Sequence, residues 1–135
     1  ENPDIILTPH AKEYQKLTGK KPPSNLQNRL ITKTTWATQH NLTILFKGPT
    51  DIITNGTTTK LNTIHNPAMT VGGTGDVLAG ITAALLSKKV APFHAACMAA
   101  FINGEAGNQV FTTKSYGLLP TDIIEFIPTI LQKYL

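Results

Sequence analysis

Residues 66–80 read NPAMTVGGTGDVLAG, and this stretch decides the fold. Three glycines, Gly72, Gly73 and Gly75, stand directly before Asp76 and an apolar segment. Glycine tolerates positive φ and lets backbone amides approach a ligand closely. A helix N-terminus adds unpaired amides and the positive end of the helix dipole. Residues 72–76, called the glycine loop below, are therefore predicted to bind an anion, with Thr74 as a further donor.

Two interpretations of Asp76 are open from this pattern. An acid at a helix start is common as a simple cap. A carboxylate beside a bound phosphate is repulsive, however, unless it has a chemical role there. Accepting a proton from a substrate hydroxyl during phosphoryl transfer is a role that fits, and the helix end favours the ionised form that a base needs.

The glycine loop differs from the two best-known phosphate-binding motifs. No Lys-Ser/Thr pair follows the glycines, so it is not a Walker A loop. The spacing G-G-x-G-D is also wrong for a dinucleotide fingerprint. The pattern by itself therefore indicates an anion site of another kind.

The chain before the glycine loop alternates between strand and helix patterns. A short buried strand is predicted at Asp4–Leu7, followed by a helix with Thr8 as its cap, Pro9 at its first helical position and Gly19 as its stop. A second helix is predicted from Ser24, its cap, to His40. A buried strand follows at 42–48, and then a hairpin whose tight turn contains Asn55-Gly56.

Three helices are predicted after the glycine loop. The first covers 76–89, the second 91–111 and the third 119–135, where Thr121 is the predicted cap and Pro128 is expected to kink or split the helix. The order β-α-α-β-β-β-α-α-α predicts an α/β layer protein with few strands.

Length, charge and cysteine content exclude several classes of protein. The 135 residues suit one domain, and no apolar run approaches the roughly 20 residues of a membrane helix. The net charge of +4 is too weak and scattered to indicate a nucleic-acid partner. The N-terminus lacks a secretory signal pattern, and the single Cys97, expected to be a core thiol, suits a reducing cytoplasm. A cytoplasmic location without membrane association is expected.

Three segments together resemble one known family. GGTGDVLAG is similar to the anion-hole and catalytic-aspartate signature of the ribokinase-like superfamily. With ILTPHAKEYQKLTG and LFKGPTDIITNG in the same order, the chain resembles the ADP/ATP-dependent NAD(P)H-hydrate dehydratases from about Asp4 to Val110. The resemblance implies a three-layer αβα fold, of which residues 1–135 form about the C-terminal half, as a single partial domain.

The resemblance also implies an activity and a set of site residues. The activity is the ADP- or ATP-dependent dehydration of NADHX or NADPHX, the hydrated forms of NADH and NADPH, and such an enzyme is a carbon-oxygen lyase. Asp76 would contact the hydrate and act as base, and His10 and Glu13 would bind or adjoin the hydrate. The residues implied for the adenine nucleotide are Lys47, Gly48, Pro49, Thr50, Asp51, Gly72, Gly73, Thr74 and Gly75. Asn66, Met69 and Thr70 would shape the loop.

The chemistry of the ring hydroxyl agrees with this activity. Water leaves a ring carbon poorly near neutral pH, whereas a phosphate ester formed at that hydroxyl departs easily. Mg²⁺ is expected to bridge the nucleotide phosphates, with no dedicated cluster of protein ligands for a metal.

Alternatives of other kinds remain at this point. A vitamin-type small-molecule kinase of the same superfamily would share Gly75 and Asp76. A half-domain that binds nucleotide without turnover is the non-enzymatic alternative. Lys47 follows a buried strand at the end where open α/β sheets bind ligands, but a snorkelling lysine is also possible there. A homo-oligomer, or assembly with the missing N-terminal half, is expected.

Overall fold

The computed structural model describes residues 4–135, and the chain divides into two compact units. The first unit runs to Thr63 and includes Val90–Cys97. The second unit comprises Ile64–Lys89 and Met98–Leu135. The predicted site residues are divided between the two units.

The first unit contains a four-stranded sheet in the order β1-β2-β3-β4. Its strands are β1 (Ile6–Leu7), β2 (Thr43–Phe46), β3 (Asp51–Thr54) and β4 (Thr59–Asn62). β1 pairs in parallel with β2, and the other neighbours pair antiparallel. All four residues of β2 are buried, as the continuous apolar run predicted.

Two helices connect β1 to β2, namely α1 (Ala11–Thr18) and α2 (Leu26–His40). α1 ends where Gly19 takes the left-handed conformation (φ 72°), which confirms the predicted stop. The cluster that anchors these helices to the sheet is aromatic and aliphatic. It consists of Tyr14, Ala37, Ile44, Phe46 and Ile52, with Leu30, Trp36 and Leu42 packed against it.

The second unit is helical. A 3₁₀ turn at Pro67–Met69 precedes α3 (Thr74–Ser87). α4 (Pro92–Lys114) begins within the first unit and continues through the second, and α5 (Pro120–Tyr134) ends the fold. The element order that the sequence predicted is therefore confirmed.

Three of the predicted caps are wrong. The N-caps are His10 rather than Thr8, Asn25 rather than Ser24, and Leu119 rather than Thr121. The side chains of His10 and Asn25 accept hydrogen bonds from backbone amides three residues on, which is what fixes these helix starts. At α5 the Asp122 carboxylate accepts from the Leu119 amide at 2.9 Å, so the helix begins at Pro120.

The hairpin and the third C-terminal helix also differ in detail from the predictions. Thr54 pairs with Thr59, so the connection is a four-residue loop rather than a tight two-residue turn. Gly56 alone of the Asn55-Gly56 pair has positive φ, at 93°. The Asn55 side chain accepts from the amides of Thr57 and Thr58 and closes this longer loop. α5 runs without interruption through Pro128, so the expected split does not occur.

Candidate functional site

The glycine loop of the second unit connects the 3₁₀ turn to α3. Gly73 is the N-cap of α3 with φ 103°, a conformation that only glycine adopts without strain. Within residues 4–135, the amides of Gly72, Gly73 and Gly75 donate no hydrogen bond to another backbone group. The loop therefore presents unpaired donors at a helix N-terminus, as the glycine pattern predicted.

Asp76 occupies the third position of α3, not the cap. Its carboxylate is exposed and makes no hydrogen bond or ion pair with any residue of the described chain. The simple-cap interpretation is wrong, because α3 has no side-chain cap and its N-cap is Gly73. A carboxylate beside unpaired amides, with no structural partner, is free to act on a ligand.

The hydroxyl of Thr74 has a different role from the one predicted. It donates to the carbonyl of Met69 at 2.8 Å and also lies 3.1 Å from the carbonyl of Val71. These contacts tie the first residue of α3 to the 3₁₀ turn before the loop. Because this donor closes the loop, the unpaired donors that the loop presents are backbone amides.

An apolar pocket of about 590 Å³ opens beside Asp76. Its walls are aliphatic residues of α3 and α5 with Ile102 of α4, and the polar side chains on it are those of Asp76 and Thr121. The residues that line it are Gly73, Asp76, Val77, Gly80, Ile81, Ala84, Leu85, Ile102, Pro120, Thr121, Ile124, Ile127 and Leu131. Its volume lies within the usual range for a small-molecule site.

Sequence reasoning missed this pocket although α5 carries a signal for it. Ile123 and Ile130 are buried on one side of the helix. Ile124, Ile127 and Leu131, spaced three and four residues apart, form a second apolar row that lines the pocket. Packing against one neighbour requires one apolar face, so the second apolar face of this helix indicates a further apolar surface.

In the first unit, three predicted site residues lie together at the carboxyl end of β2. The Lys47 ammonium lies 3.6 Å from Glu13 Oε2, and His10 Nε2 lies 3.3 Å from Glu13 Oε1. The Lys47 amide also donates to the carbonyl of Pro9 at 2.9 Å. The side chains of His10, Glu13 and Lys47, together with Asp51, are called the strand-end cluster.

Glu13 is the central member of this cluster. Its pKa is held below the ordinary value, first because the backbone amide of His10 donates to Oε2 at 2.8 Å, and further because Lys47 is near. His10 Nδ1 accepts from the Glu13 amide at 3.2 Å. In the neutral ring Nε2 therefore carries the proton, so His10 presents an N–H donor beside a carboxylate.

The loop between β2 and β3 is held by Asp51. Asp51 Oδ1 accepts from the Gly48 amide at 3.1 Å, and Oδ2 accepts from Asn62 Nδ2 at 3.0 Å. Pro49 is exposed at the tip of this loop, and Thr50 is half-buried beside it. The structure thus gathers the predicted residues 47–51 into one loop whose shape depends on the carboxylate of Asp51.

Lys33 is a buried cation that sequence reasoning missed. Its side chain is fully buried, and its ammonium, which has no hydrogen-bond partner, lies 3.4 Å from the ring centroid of Tyr14 and 4.3 Å from that of Phe46. Burial, with the nearby Arg29, lowers the pKa of Lys33 to about 8. Position 33 continues the row of Leu26, Leu30 and Ala37 on α2, which could have predicted its burial.

Membrane-spanning helices and metal-binding clusters are both absent from residues 4–135. No helix in this part of the chain combines the length and hydrophobicity that crossing a bilayer requires. No set of three or more His, Cys, Asp or Glu side chains there is arranged to hold a metal ion. Cys97 is partly buried, and burial raises the pKa of its thiol.

Comparison with known protein families gives one match that covers nearly the whole chain. Residues 1–129 match the model of the NAD(P)H-hydrate dehydratase family. The chain is 46% identical over 134 residues to a bifunctional NAD(P)H-hydrate repair enzyme of Hyperthermus butylicus, of which it covers 25%. It is 41% identical over 131 residues to an ADP-dependent (S)-NAD(P)H-hydrate dehydratase of Cenarchaeum symbiosum, of which it covers 46%. In both comparisons 97% of the present chain is aligned.

Solved structures give the same picture of the fold. The chain matches an ADP/ATP-dependent NAD(P)H-hydrate dehydratase from Bacillus subtilis, co-crystallised with ATP and Mg²⁺, with a TM-score of 0.83 and 30% identity. The alignment covers 96% of this chain and 48% of that one. A ribokinase-like superfamily protein from Enterococcus faecalis matches with a TM-score of 0.77, also at 30% identity, over 96% of this chain and 44% of that one. The predicted ribokinase-like α/β fold is confirmed, and the chain spans about half the length of such proteins.

Proposed function

The chain belongs to the NAD(P)H-hydrate dehydratase family, and from this premise we propose that it takes part in the ADP- or ATP-dependent dehydration of NADHX or NADPHX. The products are NADH or NADPH, phosphate and the shortened nucleotide, and the enzyme is a carbon-oxygen lyase. The names of the relatives support the substrate and the nucleotide dependence. Because the chain spans about half of those proteins, the activity belongs to a complete domain that contains it.

The observation that carries this proposal is the exposed, unpartnered carboxylate of Asp76 beside the glycine-loop amides. We assign the amides of Gly72, Gly73 and Gly75 to the oxygens of the transferred phosphate. Asp76 accepts the proton of the ring hydroxyl while the oxygen of that hydroxyl attacks the terminal phosphorus of the nucleotide. The bond between that phosphorus and the rest of the nucleotide breaks. A catalytic base must come within hydrogen-bond reach of the proton that it removes, and a side chain with no competing partner is free to do so.

The second step needs no further protein nucleophile. The carbon–oxygen bond of the phosphate ester breaks, phosphate leaves with the bonding electron pair, and the enamine nitrogen of the ring supplies the electrons of the new double bond. Loss of a proton restores the dihydronicotinamide. The glycine-loop amides would stabilise the departing phosphate as they did the transferred one.

Mg²⁺ fits the donor set of the chain only as an ion held by the nucleotide. The described residues include no cluster of three or more acidic, His or Cys side chains, whereas phosphate oxygens and water are the ligands that Mg²⁺ prefers. When bound there, the ion supplies charge neutralisation on the phosphates.

In the first unit, we assign His10 and Glu13 to the hydrate and the loop from Lys47 to Asp51 to the adenine nucleotide. The fixed Nε2–H of His10 offers a donor to a carbonyl or hydroxyl oxygen. Lys47 remains partly exposed beside Glu13, so it can exchange that contact for a phosphate. These assignments follow the family resemblance of residues 8–13 and 47–51.

Location and assembly complete the proposal. We propose a cytoplasmic enzyme that functions as a homo-oligomer or together with the other half of the domain. A vitamin-type kinase would use the same glycine loop and Asp76, so these residues do not separate it from a dehydratase. The reaction product distinguishes the two enzymes, because a dehydratase releases NADH or NADPH and a kinase releases a phosphorylated alcohol.

The test is incubation of the complete protein with NADHX and either ADP or ATP while the absorbance of reduced nicotinamide is followed. Nucleotide-dependent recovery of NADH is expected, and Asp76→Asn should lower kcat by about 10²–10⁴-fold. That variant should keep the rise in Tm that nucleotide binding produces. Glu125→Gln, which changes an exposed acid of α5 without a described partner, is the matched control and should match the wild type.

Two results would contradict the proposed dehydratase activity. One is phosphorylation of a vitamin alcohol without recovery of NADH, which identifies a kinase. The other is a nucleotide-induced rise in Tm with no turnover of any substrate, which identifies a binding half-domain.

A further inference from the structure

The inference begins with a close approach between α4 and the segment that leads into the glycine loop. A Cβ atom on Gly104 would overlap the carbonyl oxygen of Ile64, and one on Gly107 would overlap the sulfur of Met69. Position 104 must therefore be glycine for Ile64 to lie where it does, whereas a side chain at position 107 would require the Met69 side chain to shift. This contact lies wholly within the second unit.

One side-chain hydrogen bond fixes the segment on α4. Asn66 Nδ2 donates to Asn108 Oδ1 at 2.8 Å, between residues 42 positions apart in sequence. Asn66 Oδ1 accepts from the Ala68 amide at 3.1 Å, and Asn66 is the N-cap of the 3₁₀ turn. The Asn66 side chain thus uses one end to hold the turn and the other to hold α4.

Further hydrogen bonds lead from this turn to the base. Met69, the last residue of the turn, accepts the hydroxyl of Thr74 through its carbonyl. Thr74 is the first residue of α3, and the Asp76 amide, two positions on, donates to the Gly73 carbonyl at 3.1 Å. The position of the first turn of α3, and with it the carboxylate of Asp76, is therefore tied to Asn66.

We propose that Asn108 is a positioning residue for the glycine loop. It acts through Asn66 and touches neither the loop nor Asp76 in the contacts described above. The proposal rests on the function proposed above for Asp76, and it adds a residue that controls where the base and the loop amides lie. Glycines 104 and 107 bring the segment to α4, and Asn108 selects one register on it.

The hydrogen bond can be tested because substitutions at position 108 can keep or remove the acceptor oxygen at a similar side-chain volume. Asn108 serves as acceptor, so Asn108→Asp keeps the acceptor oxygen, whereas Asn108→Leu removes it at similar volume. Removing one partner leaves the Asn66 donor unsatisfied, and such a loss is worth about tenfold in rate when it displaces a catalytic group. We expect Asn108→Leu to lower kcat about tenfold with KM nearly unchanged, and Asn108→Asp to stay within twofold of the wild type.

A readout independent of activity is hydrogen exchange of the amides of residues 70–77, measured in the purified protein by mass spectrometry. Asn108→Leu should speed exchange in this segment several-fold and leave α5 unchanged, and Asn108→Asp should restore protection. Gln109→Leu is the matched control, because the Gln109 side chain makes no hydrogen bond to a described residue. It should leave exchange in residues 70–77 as in the wild type.

A double variant sharpens the test. In Asn66→Asp the neighbouring Asn108 amide can turn and donate, so each single Asp substitution should be tolerated. The combination N66D/N108D places two carboxylates at the position of a 2.8 Å hydrogen bond, and its effect on exchange should far exceed the sum of the single effects.

The proposal is overturned if Asn108→Leu changes neither kcat nor loop exchange. It is equally overturned if Asn108→Asp does as much damage as Asn108→Leu, or if exchange rises uniformly over α4 and α5. Failure of the proposed function has a different signature. In that case the complete wild-type protein yields no NADH, while the exchange pattern of the variants still reports on the hydrogen bond.

Discussion

The strand-end cluster of the first unit and the glycine loop of the second are held in opposite ways. In the strand-end cluster, carboxylates accept hydrogen bonds from neighbouring amides, as Glu13 does from His10 and Asp51 does from Gly48. In the glycine loop the amides of Gly72, Gly73 and Gly75 and the Asp76 carboxylate are left unpaired. The segment before the loop is held by the Ile64 backbone packed against Gly104 of α4 and by the hydrogen bond between Asn66 and Asn108. One region is shaped by charged side chains, and the other depends on a close backbone contact that only glycine allows.

This difference predicts how each region responds to mutation. A region held by close backbone contact should fail abruptly when a single methyl group is added, because backbone atoms cannot move aside. A region held by hydrogen bonds should lose stability gradually and regain it when the bond is rebuilt in another form.

The largest expected effect is that of Gly104→Ala. The added Cβ overlaps the Ile64 carbonyl oxygen, so the variant should lose about 4 kcal/mol or more of unfolding free energy. Denaturant titration of the wild type and the variant measures this loss. An unfolded or insoluble variant would agree with the prediction.

Two glycine controls separate this clash from a general intolerance of alanine. Gly80 lies inside α3, where an added Cβ meets nothing within 4 Å, so Gly80→Ala should stabilise the helix by about 0.5–1 kcal/mol. Gly48, in the strand-end loop, has only an ordinary contact of 3.5 Å to the Thr50 carbonyl oxygen. Gly48→Ala should therefore stay within about 0.5 kcal/mol of the wild type. If Gly104→Ala were as mild as Gly48→Ala, the contrast between the two regions would be lost.

Lys33 provides the next test, and here the expected change is a gain in stability. Its protonated amine is buried without a hydrogen-bond acceptor, and the rings of Tyr14 and Phe46 compensate in part for the lost hydration. Lys33→Met should fill the same space without a charge. We expect a gain of about 1–2 kcal/mol in unfolding free energy at pH 7.

The pH dependence of this gain follows from the sign of the pKa shift. The pKa of Lys33 is about 8 in the folded protein, against 10.5 for an ordinary lysine. Between these values the unfolded chain holds a proton that the folded protein has released, so stability rises with pH. The cost of the buried charge is present in full below pH 8 and disappears as pH rises toward 10.5.

The measurement is denaturation of the wild type and Lys33→Met at several values between pH 6 and pH 10.5. The advantage of the variant should shrink steadily above pH 8, whereas Lys12→Met, at an exposed site on α1, should show little difference at any pH. A gain that did not change with pH would mean that the amine is not the cause.

The sequence predicted the kind and order of every helix and strand because these depend on local patterns. The apolar run of residues 42–48, the left-handed stop at Gly19 and the glycines before α3 each act within a few residues. Cap positions were wrong by one or two residues because several side chains able to cap lie side by side. His10 was predicted only as a ligand contact, yet its Nδ1 also caps α1.

The candidate site was predictable where it depends on one segment and not where it depends on two. The glycine loop and Asp76 lie in one stretch, so their arrangement follows from the sequence. The pocket walls from α5 and the bond between Asn66 and Asn108 join distant segments, so one stretch of sequence does not reveal them. Lys33 was not singled out from the sequence, because a lysine is almost never fully buried even where its position continues an apolar row.

The smallest predicted effect is that of Asp51→Asn, a substitution that tests whether the hydrogen bonds of the strand-end cluster can be rebuilt. In Asp51→Asn the new amide can still accept from the Gly48 amide, but its NH₂ group then faces Asn62 Nδ2, a second donor, and the Asn62 amide must turn before it can accept. The loss should be about 1 kcal/mol of unfolding free energy, with a several-fold higher KM for the nucleotide.

Adding Asn62→Asp to this variant reverses the direction of the second bond. The amide at position 51 then donates to a carboxylate at position 62 while its oxygen still accepts from Gly48, so both hydrogen bonds are restored. Denaturation and nucleotide kinetics should return to within about 0.5 kcal/mol and twofold of the wild type. A double variant no better than Asp51→Asn would show that the charge of Asp51 itself holds the loop. Such recovery by exchange is open only to a region held by side chains, since no second substitution can remove the Cβ that Gly104→Ala drives into a backbone carbonyl.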